Sequence, residues 1–132
     1  MITLSVATKS RNEFVDITAR IQQAVTESKT QSASVVCFVP HTTAGFTINE
    51  NADPDVRRDI LTKLGSVFSQ NDDYRHAEGN SDAHIKASLI GSSVQIIIEG
   101  GRLVLGTWQG VFFCEFDGPR SRQVYIQIAP YA

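Results

Sequence analysis

Three histidines, His41, His76 and His84, lie in polar parts of the sequence where burial in a core does not explain them. Imidazole is the side chain best suited to metal binding and to proton transfer near neutral pH. Their spacing matches no recognised zinc motif, but a strand end, a loop and a helix start are separate elements of the kind that combine into an enzyme site. We predict that the three histidines share one site, as metal ligands or, without metal, as acid–base or phosphate-binding groups. The alternative is three unrelated histidines of intermediate burial.

Carboxylates close to these histidines in sequence can orient an imidazole through its second nitrogen. The candidates are Glu50, Asp53, Glu78 and Asp82. Asp53 is better explained as a helix cap, and Asp82 as a carboxylate favoured by a helix N-terminus. Glu50 stands at a predicted strand end and has no such explanation. We therefore predict that Glu50 orients a ligand or moves a proton, in a catalytic group with His41 and His84.

Groups suited to an anionic or planar substrate occur in three further places. Arg57 and Arg58 fall in the first turn of a predicted helix, where a cation opposes the helix dipole unless an acidic partner or a salt bridge compensates. Arg120 follows a rigid Gly-Pro pair, and its guanidinium matches phosphate geometry, whereas Arg122 is equally well a solvated turn charge. Glycines flank Trp108, which favours an interface, or a pocket edge where the ring stacks on a planar substrate, over the core position usual for a single tryptophan.

Hydrophobic periodicity predicts three helices, at 17–28, 54–68 and 82–90, the second with Asp53 as N-cap and Pro54 at its first position. Asp16 or Thr18 is expected to cap the first helix, and Gly91 to end the third. The predicted strands are 2–8, 13–17, 33–39, 45–49, 94–99, 102–105, 111–117 and 123–129. We expect the first two strands to form a hairpin and the last four a meander. The sequence thus predicts a single α+β domain over residues 1–132, with a largely antiparallel sheet packed against about three helices.

Composition narrows the class of protein. The 132 residues carry a net charge of −2 and a pI near 5.9, which argues against a nucleic-acid partner. No apolar stretch approaches the roughly 18–20 residues of a membrane span, and the N-terminus lacks a signal-peptide pattern, so a cytoplasmic protein is expected. Cys37 and Cys114 stand in apolar runs and are expected to be buried, structural thiols.

Three groups of residues together resemble the YjbQ-like family over nearly the whole chain. The first is His41-Thr42-Thr43-Ala44-Gly45 with 47–56, the second is 78–86, and the third comprises Gly101-Arg102-Leu103, 105–110 and 115–120. Ile97 departs from the family pattern, which has a proline in the strand before Gly100-Gly101.

The resemblance implies an α+β homotrimer with sites near its subunit boundaries. It also implies a divalent metal at His41, His76 and His84, with zinc as the first candidate and nickel, iron or magnesium as the alternatives. The implied activity is that of a secondary thiamine-phosphate synthase, which joins a hydroxymethylpyrimidine diphosphate to a thiazole phosphate. On this expectation the phosphorylated substrate is bound by four residues: Arg57, Asn80, Trp108 and Arg120.

Imidazole ligands leave other reactions open. Diphosphate chemistry commonly uses magnesium held by carboxylates, whereas three histidines fit a Lewis-acid metal that activates water or polarises an oxygen. A metallohydrolase with a different small substrate is therefore a second hypothesis. A trimeric module that binds a small anion or metabolite without turnover is a third.

Overall fold

The computed structural model describes residues 1–131, which form eight strands and three helices. In chain order the elements are β1 (Ile2–Ala7), β2 (Glu13–Asp16), α1 (Thr18–Ser28), β3 (Ser32–Phe38), β4 (Ala44–Glu50), α2 (Pro54–Val67), α3 (Ser81–Ile90), β5 (Ser93–Glu99), β6 (Arg102–Leu103), β7 (Gln109–Glu115) and β8 (Ser121–Pro130). The predicted α+β class is confirmed, and the predicted bounds of most elements differ from the observed ones by one or two residues. Within residues 1–131, no helix combines the length and apolar character needed to cross a membrane.

The strands form two antiparallel sheets rather than one. The five-stranded sheet has the order β1-β8-β3-β5-β6, and the three-stranded sheet has the order β2-β7-β4. The predicted hairpin is therefore wrong, because β1 pairs with β8 and β2 pairs with β7. The predicted meander is wrong for the same reason: only β5 and β6 pair with each other among the last four strands.

The connection between β1 and β2 explains why they do not form a hairpin. Thr8 donates its backbone N–H to the carbonyl of Arg120, and Gly118 donates its backbone N–H to the carbonyl of Arg11, at 2.9 and 3.0 Å. These bonds hold the connection against the loop between β7 and β8. The chain thereby passes from the five-stranded sheet to the three-stranded sheet instead of turning back on itself.

Two apolar clusters hold the layers together. The larger lies between the two sheets and α1, and includes Ile21, Val35, Phe46, Phe113 and Ile126. The smaller lies between the other face of the three-stranded sheet and the helices α2 and α3. The three-stranded sheet is thus covered on both faces, which is why β7 is buried along six of its seven residues.

Helix ends follow the sequence signals closely. The Asp53 carboxylate accepts a hydrogen bond from the backbone N–H of Asp55 at 2.9 Å, with Pro54 at the first helical position. The N-cap of α1 is Ile17 and neither Asp16 nor Thr18, although the Asp16 carboxylate accepts from the N–H of Thr18 at 3.0 Å. Gly91 ends α3 with a φ of 95°, a left-handed value that favours glycine.

The outward face of the five-stranded sheet is not covered by any element of the described chain. Four large side chains stand on the central strands of this face: Val36, Phe38, Ile97 and Tyr125. Ile97 is 56% exposed. The rings of Phe38 and Tyr125 are 6.5 Å apart across β3 and β8. We call this surface the neutral sheet face.

Gly45 sets how closely α3 approaches β4. A β-carbon at Gly45 would lie 2.5 Å from the carbonyl oxygen of Gly91, at the end of α3. The same carbonyl accepts the backbone N–H of Phe46 at 3.0 Å. Because only glycine permits this approach, Gly45 fixes the helix end, and with it His84, against the segment that carries His41.

We predict that Gly45→Ala lowers the free energy of unfolding by about 1–3 kcal/mol, because the added methyl group must push α3 away from β4. Urea unfolding at one protein concentration measures the change. Gly65→Ala in α2 is the matched control, since a β-carbon there would have no neighbour within 4 Å outside the backbone of its own helix. Alanine at this position should stabilise the helix by about 0.5–1 kcal/mol. Equal effects at both positions would contradict the role given to Gly45.

Candidate functional site

A cleft of about 390 Å³ opens between α3 and the segment that precedes β4. We call it the histidine cleft, and its lining residues are His41, Thr42, Ala44, His84, Ala87, Ser88, Gly91 and Ser92. His41 and His84 therefore lie at one cleft, and their use as a functional site stays a prediction. The volume suits a small molecule rather than a polymer.

His76 joins this site through His84. The two imidazole rings have centroids 5.3 Å apart and planes inclined by 89°. Glu78 stands beside His76, with 3.6 Å between its Oε2 and the Nε2 of the imidazole. This carboxylate is the one of the four predicted candidates that approaches a histidine side chain within salt-bridge distance.

The separation of His76 and His84 matches that of a metal-binding pair, but the predicted set of three histidines is not assembled within residues 1–131. Two imidazoles that bind one tetrahedral ion at the usual zinc–nitrogen distance of about 2.1 Å have ring centres about 5 Å apart. The observed separation of 5.3 Å agrees with this. Among residues 1–131, however, no three His, Cys, Asp or Glu side chains converge to hold an ion together. An ion held by this pair would need further ligands from substrate, water or a neighbouring chain.

His41 differs from the other two histidines in its hydrogen bonding. Its Nε2 accepts the backbone N–H of Gln123 at 3.0 Å. Partial burial, followed by the positive charge of Arg122, lowers the pKa of His41 below its ordinary value. The backbone hydrogen bond at Gln123 and the charge of Glu115 act in the opposite direction, and Arg120 lowers the pKa further. The imidazole is therefore neutral at pH 7.

A buried ion pair supports the segment that carries His41. Arg122 is 5% exposed and Glu115 is 0% exposed, and the Nε of the arginine donates to the carboxylate at 2.9 Å. The Nη2 of Arg122 also donates to Thr43 Oγ1 at 2.8 Å. The arginine thus ties β7 to the segment two residues after His41. Arg122 is not the solvated turn charge that was one of its two predicted roles.

The Glu115 carboxylate is fully satisfied. It also accepts from Thr8 Oγ1 at 2.8 Å and from the backbone N–H groups of Phe116 and Asp117, both at 3.1 Å. Burial by itself raises the pKa of Glu115, but the hydrogen bonds from Arg122, Thr8 and Asp117 outweigh it and hold the pKa below its ordinary value. The carboxylate is therefore ionised at neutral pH and is held in place by these hydrogen bonds.

This network was missed in the sequence, although the pattern of β8 contains a signal for it. Val124, Ile126 and Ile128 alternate with polar residues and point into the core. Arg122 has the same parity and therefore points the same way. A charge at an inward position requires a buried partner, and Glu115, at the end of a buried strand, supplies it.

A second polar cluster anchors the start of α3. Asp82 is buried and pairs with Lys86 at 2.9 Å and with Arg11 at 2.8 Å. The hydrogen bonds from these cations hold the pKa of Asp82 below its ordinary value despite the opposing effect of burial, which is the largest single influence. Asp82 is thus occupied in an ion pair, and orienting a histidine is not its role.

Asn80 and Arg120 meet through Asp117. Asn80 donates from Nδ2 to the Asp117 carboxylate at 2.9 Å, and Arg120 donates to the same oxygen at 2.9 Å. Since Arg120 also affects the pKa of His41, both predicted substrate-binding residues lie on the side of the molecule that carries the histidines. The Oδ1 of Asn80 is buried and has no partner within residues 1–131.

Glu50 and Trp108 lie at the opposite end of the three-stranded sheet. Ala44, in the histidine cleft, and Glu50 are the two ends of β4, six residues or about 20 Å apart. Trp108 is beside Glu50, because its carbonyl accepts the backbone N–H of Asn51 at 3.0 Å. Its side chain is 62% exposed. Within one chain neither residue reaches the histidines.

Arg57 also lies outside the histidine cleft. Its guanidinium stands 4.8 Å from the ring centre of Phe112, and its Nη1 donates to the carbonyl of Phe14 at 3.4 Å. These contacts place it between α2 and the three-stranded sheet, where it helps to pack the helix. The phosphate-binding role predicted for Arg57 is therefore not supported by its position, and Arg58 forms an exposed contact with Asp55 at 3.9 Å.

Both cysteines are buried and free, as predicted. Burial raises the pKa of Cys37 to about 12 and raises that of Cys114 as well. Neither thiol forms a thiolate near neutral pH, so neither is a nucleophile of this site.

The family model described as UPF0047 protein YjbQ-like matches residues 2–131. The chain belongs to this family. The resemblance found in the sequence motifs is thereby confirmed.

Relatives of this YjbQ-like chain match along nearly its whole length. UPF0047 protein MJ1081 of Methanocaldococcus jannaschii is 55% identical over 123 residues, which cover 93% of this chain and 89% of that protein. UPF0047 protein YugU of Bacillus subtilis is 49% identical over 127 residues, 96% of each chain. A solved YjbQ/UPF0047-family structure from Clostridium acetobutylicum, an orthologue of YugU, has a TM-score of 0.95 at 59% identity and covers 97% of this chain and 99% of that one. These names state a family and no reaction, so the function must be argued from the site.

We predict that Arg122→Met in this YjbQ-like chain lowers the free energy of unfolding by about 3–5 kcal/mol, because it leaves Glu115 buried without its cation. The double variant Arg122→Met/Glu115→Leu should recover part of that loss, which a double-mutant cycle in urea measures. Additive effects of the two substitutions would contradict the coupling.

The free energies of unfolding of the wild-type protein and the double variant should also depend differently on pH. Since the folded pKa of Glu115 is lowered, its stabilisation is complete above the ordinary carboxyl value of about 4.5 and is lost as pH falls through the folded value. The double variant, which lacks this carboxyl, should lose less stability over that acid range than the wild-type protein.

Proposed function

We propose that this YjbQ-like protein is a metal-dependent enzyme of the cytoplasm that acts on a small phosphorylated heterocycle and works as a homotrimer. One observation carries the proposal, namely the position of His84. It lines the histidine cleft together with His41 and stands at the separation of a metal-binding pair from His76. Basic groups beside the cleft favour an anionic substrate.

His76 and His84 would hold the metal, and zinc remains the first candidate because its usual ligands include neutral imidazole. When bound, the metal would neutralise charge that develops on a phosphoryl or diphosphate group of the substrate. Glu78, beside His76, would hold that imidazole in one orientation. These residues are brought together by a loop and by α3, whose end is fixed by Gly45.

Arg120 is arranged to bind phosphate without giving up its internal partner. Its Nε donates to the carbonyl of Asp117 and its Nη2 to the Asp117 carboxylate, at 2.8 and 2.9 Å. The guanidinium is thus held on one edge, while its Nη1 has no partner within the described residues. A fixed fork with one free edge suits a phosphate oxygen.

The coupling of a hydroxymethylpyrimidine diphosphate with a thiazole phosphate is the reaction that the family resemblance offers for test. In it, the thiazole ring nitrogen forms a bond to the pyrimidine methylene carbon while the carbon–oxygen bond to diphosphate breaks. The electron pair of the broken bond leaves with the diphosphate, so negative charge grows on the leaving oxygen. Groups that stabilise this charge lower the barrier, and Arg120 is the residue of this chain best placed to do so.

Glu50 and Trp108 enter this proposal from a neighbouring subunit. Within the chain they lie about 20 Å from the cleft along β4, so they can act on its contents only across a subunit boundary. The neutral sheet face supports such an assembly, because three of its four large side chains, Val36, Phe38 and Ile97, are apolar and exposed. Trp108 is 62% exposed in one chain, and a neighbouring subunit would then cover its ring.

We predict that His84→Ala weakens zinc binding at least about 100-fold, since outer-sphere changes alone commonly cost 10–100-fold. It should also abolish the coupling reaction while leaving the unfolding free energy within about 1 kcal/mol of wild type. Zinc affinity is measured by competition with a chelator, and thiamine phosphate by chromatography. Leu89→Ala, on α3 but outside the cleft and 62% exposed, is the matched control and should keep both properties. Turnover of His84→Ala at the wild-type rate would contradict the assignment of His84. Release of phosphate by the wild-type protein without coupling would instead indicate a hydrolase.

We predict that Phe38→Asp/Ile97→Asp converts the trimer to a monomer of 14.5 kDa, because two charges on the neutral sheet face cannot be buried between subunits. Light scattering after size exclusion gives the mass. Val67→Asp, an apolar residue of α2 that is also 56% exposed, is the control and should leave the mass unchanged. The monomer should keep zinc on His76 and His84 but lose turnover, because it lacks Glu50 and Trp108 of a neighbour. Full activity in a monomer would contradict the shared site.

A further inference from the structure

His41 faces the histidine cleft with a different chemistry from His76 and His84. We propose that His41 acts as an N–H donor through Nδ1, which binds an oxygen of the substrate, rather than as a ligand of the metal. This inference rests on the proposed function for the identity of the site. It changes the role of one of the three histidines and names the chemical group that this histidine recognises.

The hydrogen bond from Gln123 fixes where the proton of His41 resides. A neutral imidazole has one nitrogen that accepts and one that donates. The backbone N–H of Gln123 can only donate, and it points at Nε2 from 3.0 Å. Nε2 must therefore be the acceptor, and the proton lies on Nδ1. Neither nitrogen then offers a lone pair to a metal ion, because one lone pair is already used and the other nitrogen is protonated.

The donor of this hydrogen bond is a backbone N–H of the sheet, so its position does not depend on a mobile side chain. β3 ends at Phe38, which stands opposite Tyr125 of β8. Gln123 lies two residues before Tyr125 in β8, where β3 no longer pairs with it. Its N–H is therefore available to another acceptor. The ring of His41 takes the place of the missing strand. To offer Nε2 to a metal, the ring of His41 would have to give up this hydrogen bond.

Arg122 keeps the ring in this place and is a positioning residue. It precedes Gln123 in β8 and donates to Thr43 Oγ1 at 2.8 Å, two residues after His41. Two consecutive residues of β8 thus hold the segment 41–43 at two points. The ion pair with Glu115 prevents the guanidinium from leaving, because that carboxylate is buried and must keep its cation.

Nδ1 is accessible to a ligand. It has no hydrogen-bond partner within residues 1–131, and it is not among the buried polar atoms without partners in that part of the chain. Its residue lines the cleft opposite His84. An N–H in such a position binds a phosphoryl or carbonyl oxygen and repels a cation. Arg120, close enough to influence His41, adds to the preference for an anion.

The proton position is tested directly by long-range hydrogen–nitrogen NMR of the wild-type protein with ¹⁵N-labelled histidine. The expected spectrum shows His41 as the Nδ1–H tautomer at pH 7, the rarer form in free histidine. Arg122→Lys, which keeps the charge but not the fork, should shift His41 toward the Nε2–H form. A wild-type His41 with its proton on Nε2 would overturn the inference.

The division of roles is tested with zinc and inorganic phosphate as separate probes, on His41→Ala, His41→Gln and His84→Ala. His41→Ala should bind zinc within about threefold of wild type, whereas the metal-free form should bind phosphate at least about tenfold more weakly. His41→Gln, whose amide both accepts and donates, should recover part of the phosphate binding. His84→Ala should lose zinc.

The outcomes separate this inference from the proposed function. If His41→Ala loses zinc as severely as His84→Ala does, His41 is a ligand, the inference falls, and the metal site stands. If His84→Ala keeps its zinc, the proposed metal site falls, and the tautomer of His41 still decides the inference. Unchanged phosphate binding in His41→Ala would also overturn the inference, because the donor would then have no measurable partner.

Discussion

The buried pair of Arg122 and Glu115 is the interaction on which the rest of this end of the molecule depends. Two charges removed from water are tolerated only with complete hydrogen bonding, and Glu115 obtains it from β8, from the end of β1 and from the backbone after β7. Arg122 also donates a hydrogen bond to Thr43 and so fixes that segment to the same ion pair. Four separate parts of the chain are therefore fixed to one point, and His41 lies beside it.

A second constraint, steric rather than electrostatic, positions the other side of the cleft. Gly45 lets the end of α3 rest on β4 at a distance that no side chain permits. The start of the same helix is held by the buried pair of Asp82 and Lys86. His84 lies between these two fixed points, so its distance from His41 is set by the fold and not by a flexible loop. The cleft is thus organised before any ligand arrives, which lowers the cost of binding.

The three-stranded sheet gives the chain two chemically different ends. One end carries the histidines, Arg120 and Asn80, and the other carries Glu50 and the exposed Trp108. A strand of seven residues is rigid and cannot bring its ends together. Polar and aromatic residues at both ends are explained if subunits are arranged so that the end of one meets the cleft of another. In such an assembly the neutral sheet face would supply an apolar contact surface.

The sequence by itself determined the elements and the proximity of His41 and His84, because helix caps, periodicity and local polarity are short-range signals. Asp53 and Gly91 mark helix ends as predicted, and His41 and His84 do share a cleft. Which strands pair was decided only by tertiary structure: the link from β1 to β2 is bonded to a loop more than 100 residues away. The same holds for Arg122, whose burial requires Glu115 on another strand, and for Glu50, which its own strand keeps from the histidines. Chemistry that depends on neighbours distant in sequence is invisible until the chain is folded.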